Sequence, residues 1–97
     1  MKDLKEIKRI LVEHKEILKK KFKVKEIGIF GSYVRGEQKR DSDVDILVEF
    51  EETPTLLEFM ELENYLTEIL GVKVDLVMKR ALKPTIKEFV LREVVYV

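Results

Sequence analysis

Apolar positions follow two periods along the chain. Over residues 2–20, Leu4, Ile7, Leu11, His14 and Leu18 recur every three or four residues, with Ile10 and Ile17 widening the stripe. That is the period of a helix with one buried face. Residues 24–30, VKEIGIF, predict a strand ending at Gly31. Residues 32–42, SYVRGEQKRDS, are polar with one glycine and predict a short helical turn followed by a loop. Residues 43–50 alternate with period two: Val44, Ile46, Val48 and Phe50 on one face, Asp43, Asp45, Leu47 and Glu49 on the other. Thr53-Pro54 opens a helix, because proline suits a first turn, and Gly71 ends it after Leu70. Residues 72–78 form a third strand, with Val72, Val74, Leu76 and Met78 opposite Lys73, Asp75 and Val77. Pro84 begins a last helix that runs to Glu93.

This order predicts an α/β (α+β) fold: a small mixed three-stranded sheet with helices packed on one face. The helix between the second and third strands suits a right-handed crossover joining parallel strands. The link of a dozen residues between the first two strands suits an antiparallel pair. Ninety-seven residues, 45% hydrophobic and 39% charged, make one domain over 1–97 with one core. There is no cysteine, hence no disulfide and no thiolate metal site. No apolar run approaches the roughly 18 residues of a membrane span, so a cytoplasmic protein is expected. Nineteen basic residues balance nineteen acidic ones, which argues against bulk binding of nucleic acid. The balance hides an asymmetry: residues 1–25 carry a net +6, and residues 41–68 carry ten acidic and no basic side chains.

Three aspartates stand where strands disfavour them. Asp43 and Asp45 leave the same face of the second strand, and Asp75 leaves the third strand opposite Val74 and Leu76. If those strands are parallel neighbours, the three carboxylates converge, and such a group repels itself unless cations sit among them. Oxygen ligands select Mg²⁺ or Mn²⁺. Carboxylates shared between two such ions about 3.5–4 Å apart make a phosphoryl- or nucleotidyl-transfer site. The bland reading is strand-end aspartates facing water. Gly31-Ser32 falls where the first strand meets a helical turn. There backbone N–H groups and the Ser32 hydroxyl would bind phosphate, or Ser32 would simply cap the turn. Arg35 is either a bidentate phosphate clamp or an ordinary surface arginine.

Together these pieces are more specific. From Gly31 the chain reads GSYVRGEQKRDSDVD: Gly-Ser, ten residues, then Asp-x-Asp. This resembles the signature of the nucleotidyltransferase superfamily that includes DNA polymerase beta. The fuller string GSYVRG…SDVDILV, Asp75 in VKVDLV and the closing Leu82-Lys83-Pro84, Leu91-Arg92-Glu93 and Tyr96-Val97 are similar to its smallest branch, the minimal nucleotidyltransferases. The resemblance implies a polymerase-beta-like fold and transfer of a nucleoside monophosphate from a triphosphate, with ATP expected, to an acceptor hydroxyl. It implies that Gly31 and Ser32, with Arg35 beside them, hold the triphosphate. Asp43, Asp45 and Asp75 then carry catalysis and two Mg²⁺ ions, with Asp75 helping to deprotonate the acceptor.

With 97 residues the chain leaves no room for an acceptor-binding domain, so the acceptor is expected on another protein. The resembled branch is typically paired with a HEPN-domain ribonuclease toxin, in a hetero-oligomer where the transferase is the antitoxin and adds AMP to a toxin tyrosine. No membrane and no direct nucleic-acid partner is expected, and a homodimer stays open. Two other functions compete: a binding module that neutralises its partner by contact alone, and a subunit of a two-chain transferase acting on a small molecule.

Overall fold

In the computed structural model, which describes residues 2–97, the first apolar stripe forms two helices, not one: α1 (Leu4–Glu13) and α2 (Lys15–Phe22). Asp3 starts α1 by accepting the Glu6 N–H at 2.9 Å. The break falls at His14, whose backbone turns to φ −105°, ψ 9°. Its N–H is shared between the carbonyls of Ile10 and Leu11, both at 3.2 Å, and its Nδ1 lies 2.8 Å from the Ile10 carbonyl. A side chain inserted into the helical ladder is a usual cause of such a kink. Ile7 and Leu11 before the break and Leu18 after it are all fully buried, so the stripe continues across it.

Strand β1 (Val24–Phe30) pairs antiparallel with β2 (Val44–Phe50), and β2 pairs parallel with β3 (Val74–Met78). Both pairings follow the expectation from connection lengths. A fourth strand, β4 (Val95–Tyr96), extends the three expected and gives the order β3-β2-β1-β4. Gly28 admits it, because a Cβ there would lie 2.6 Å from Val94 Cγ2. Between β1 and β2 lies the single-turn helix α3 (Ser32–Arg35). The crossover helix α4 (Leu56–Leu70) starts later than Thr53-Pro54, at a capping box between Thr55 and Glu58. It covers the free edge of β3: Thr67 Oγ1 accepts the Val74 N–H and Glu63 Oε2 the Leu76 N–H, each at 3.1 Å. An edge strand satisfied in this way has little left to offer another chain.

The main core lies between α1, α2 and α4 and one face of the sheet, with Ile7, Leu11, Ile29, Ile46, Leu62 and Leu66 sealed from water. The second face is not left open. A 3₁₀ turn (Lys79–Ala81) leads into α5 (Pro84–Glu93), and Leu82 and Val90 bury Leu47 there, with Phe30, Val77, Leu91 and Val94 around it. Leu47 shares a face with Asp45, as the alternation predicts, but α5 covers it. The carboxylates are therefore confined to one end of that face, beyond the C-terminal end of α5. No helix among the described residues is long and apolar enough to cross a membrane.

Candidate active site

Strand register assembles this site. Asp45 lies directly beside Asp75 across the parallel β2–β3 pair, and beside Phe30 across β1–β2. Side chains level with each other on adjacent strands leave the same face. Asp43, two residues before Asp45, stands at the mouth of β2 and is exposed, as is Asp75, whereas Asp45 is half-buried. The three aspartates singled out by the sequence thus gather at one end of the sheet.

Gly31 closes the site from the β1 side. Its backbone adopts φ +80°, ψ −152°, a region essentially restricted to glycine. A Cβ on Gly31 would lie 2.0 Å from Asp45 Oδ2. Gly31 therefore lets the main chain turn and lets the Asp45 carboxylate lie against it. It is also the residue that caps α3, so Ser32 falls inside the turn and makes no capping hydrogen bond. The reading of Ser32 as a cap is not what the structure shows.

Arg35 is engaged by two carboxylates. Its Nε donates to Glu37 Oε1 at 2.9 Å and its Nη1 to Glu93 Oε1 at 2.6 Å. Glu93 also accepts the Gly31 N–H through Oε2 at 2.8 Å. Glu93 was not singled out by sequence reasoning. The signal available was an acid in the last turn of a helix, where the helix dipole disfavours negative charge. Tyr33, the next residue of the turn, is buried in the main core, and its hydroxyl pKa is raised by burial and by Asp43.

Electrostatically the site is an excess of negative charge. The Asp45 carboxyl is pushed up from 3.8 to about 6, first by burial, then by Asp75 and Asp43, with Glu93 adding to them and Arg35 opposing. Among the described residues no three acid or imidazole groups are already closed at ligand spacing. The donor chemistry nevertheless fits a hard divalent cation: carboxylate oxygens only, two of them on exposed side chains and one on a half-buried side chain.

The nucleotidyltransferase domain family matches residues 11–97. The protein adenylyltransferase MntA of Thermococcus cleftensis is 64% identical over 97 residues, covering 100% of this chain and 98% of that one. A solved structure described as a minimal nucleotidyltransferase superposes with a TM-score of 0.74 at 38% identity, covering 92% of this chain and 93% of that one. A second, of a tri-AMPylated HEPN toxin from Shewanella oneidensis in complex with MNT antitoxin, matches with a TM-score of 0.62 at 25% identity over 90% of this chain and 70% of that one. The fold thus has its counterpart in a known group, and the chain belongs to the nucleotidyltransferase family, as an enzyme of its minimal branch.

Proposed function

We propose that this protein is a magnesium-dependent adenylyltransferase that moves AMP from ATP onto a tyrosine hydroxyl of a HEPN-family ribonuclease toxin, and that it acts in the cytoplasm as that toxin's antitoxin. The observation that carries the reading is the register of Asp45 beside Asp75 with the Gly31 turn folded onto the Asp45 carboxylate. The likeness to a protein adenylyltransferase supports the chemistry, and the likeness to a complex containing an AMPylated HEPN toxin supports the partner.

In this reading Asp43 and Asp45 would hold the nucleotide's magnesium and, together with Asp75, a second ion. Bound magnesium supplies neutralisation of the triphosphate and of the departing pyrophosphate. Asp75, exposed at the rim, takes the acceptor's proton. The acceptor oxygen bonds to the α-phosphorus as the bond to the bridging oxygen breaks, and pyrophosphate leaves. The Gly31 N–H is engaged by Glu93, so Ser32 is the residue of the pair left with a free hydroxyl for phosphate. Arg35 retains Nη2 beyond its two carboxylate bonds.

The test is the intact mass of a co-expressed HEPN partner. One or more added AMP groups on a tyrosine are expected with the wild-type chain, and none with Asp43→Asn combined with Asp45→Asn. Undiminished neutralisation by that double variant would leave contact alone as the function.

A further inference from the structure

Glu93 joins two parts of the chain that nothing local would bring together. Its partners Gly31 and Arg35 are 62 and 58 residues away in sequence. Its side chain is only 10% exposed, the most buried carboxylate in any ion pair among the described residues. Most of the other pairs link exposed groups three or four residues apart on one helix, and such contacts contribute little. A carboxylate taken this far from water is tolerable only when its oxygens are well satisfied. Here both oxygens are used, one on a backbone N–H and one on a guanidinium.

The turn that Glu93 grips cannot hold itself. Helix α3 has four residues, begins at a glycine and has no side-chain cap. One turn of helix is unstable alone, because nucleation fixes several residues for a single hydrogen bond. Glu93 ties the first residue of the Gly31–Arg35 segment and the last to the same carboxylate. The body of the protein in turn fixes that carboxylate, since Val90 and Val94 of the same region pack against Leu47 and its neighbours. The segment so fixed lies against Asp45.

We propose that Glu93 is a positioning residue for nucleotide binding: its carboxylate clamps Gly31 and Arg35 together and presets the Gly-Ser turn against Asp45. This rests on the reading of the site as a nucleotide site. Glu93 acts from behind the turn, with its oxygens spent on the protein's own donors. A glutamine at 93 keeps the shape but replaces one of the two acceptor oxygens by an NH2 donor, so in the wild-type geometry either the Gly31 N–H or the Arg35 guanidinium faces a donor in place of an acceptor.

The experiment measures calorimetric affinity for the non-hydrolysable analogue AMP-PNP in excess Mg²⁺, with melting curves and amide hydrogen exchange of the metal-free protein. Glu93→Gln is expected to melt close to wild type, to lose exchange protection over residues 31–35, and to bind the analogue roughly 10–100-fold more weakly, the range seen when an outer-shell partner is removed. Glu93→Asp should recover part of the affinity. Arg35→Gln should weaken binding too, and the Glu93→Gln/Arg35→Gln pair should be no worse than the weaker single variant. Wild-type affinity in Glu93→Gln overturns the proposal. Tighter binding also overturns it, since Glu93 would then be competing with phosphate for the turn. Should Glu93→Gln fail to fold, wild-type affinity in Arg35→Gln overturns it instead. Asp45→Asn separates the underlying reading: if it binds Mg²⁺ and analogue as wild type does, the nucleotide site lies elsewhere, whatever Glu93 does.

Discussion

An alanine at position 31 has no room. Its Cβ would fall 2.0 Å from Asp45 Oδ2, on a backbone with φ +80°. Gly31→Ala is expected to destabilise the fold by about 1–3 kcal/mol from backbone strain alone. It should also abolish transfer, because Asp45 must move to make space; a denaturant titration and a transfer assay check both. Ser32 behaves differently. It caps nothing, so Ser32→Ala should change stability by no more than about 0.5 kcal/mol. Its transfer rate should fall towards the roughly 10²–10³-fold seen for a lost oriented donor, less whatever bound metal shares. Full activity would remove Ser32 from the phosphate site. Asp45 is separable by pH. Its folded carboxyl titrates at about 6 against 3.8 for the free group, so the unfolded chain gives up this proton first. Stability is intact below the lower value, falls as pH rises between the two, and stays reduced above about 6. In chelator, Asp45→Asn should therefore melt above wild type at neutral pH, with the gap closing towards about pH 4. A gap that does not change with pH would mean that repulsion on Asp45 is not its cause.

Helix α4 shows what sequence pattern reveals about an element and what it hides. Thr55 accepts the Glu58 N–H at 3.2 Å and Glu58 Oε1 accepts the Thr55 N–H at 2.8 Å. Thr55→Ala should cost about 1 kcal/mol, read as a lower urea midpoint with an unchanged slope. The helix anchors Leu62, Leu66 and Leu70 in the core, so its fraying is felt globally. The T-x-x-E signature of that box stands in the sequence but was passed over, and Pro54 drew the predicted start two residues early, since proline favours a first turn. The three long strands and their directions were legible because alternation and connection length encode them. The division at His14 was not, because Leu11 and Leu18 keep the same buried side across it. Nor was β4: two residues are too few for a period. The aspartates and the Gly-Ser turn were legible through spacing, whereas Glu93 reaches the site only by tertiary contact across 62 residues.

Over the whole molecule, charge is neutral in sum and divided in space. Asp43, Asp45, Asp75 and Glu93 come from three separate elements or their edges and meet at one end of the sheet. The cation among them, Arg35, is already bonded to Glu37 and Glu93. A triphosphate bound at this end would lie among these carboxylates. Two unit charges about 4 Å apart near a protein surface repel by about 4 kcal/mol, and several such pairs arise at once. Hydrogen bonds from Ser32 and the turn, at about 1.5–3 kcal/mol each to a charged group, do not offset that sum. Nucleotide and Mg²⁺ should therefore bind cooperatively. The melting shift with both AMP-PNP and Mg²⁺ should exceed the sum of the shifts with each alone, since only the combined ligand binds the folded chain well. The excess should vanish in Asp43→Asn combined with Asp45→Asn, where the repulsion and the ligand oxygens are removed together. Equal AMP-PNP affinity in chelator and in excess Mg²⁺ would show that the triphosphate does not meet these carboxylates at all.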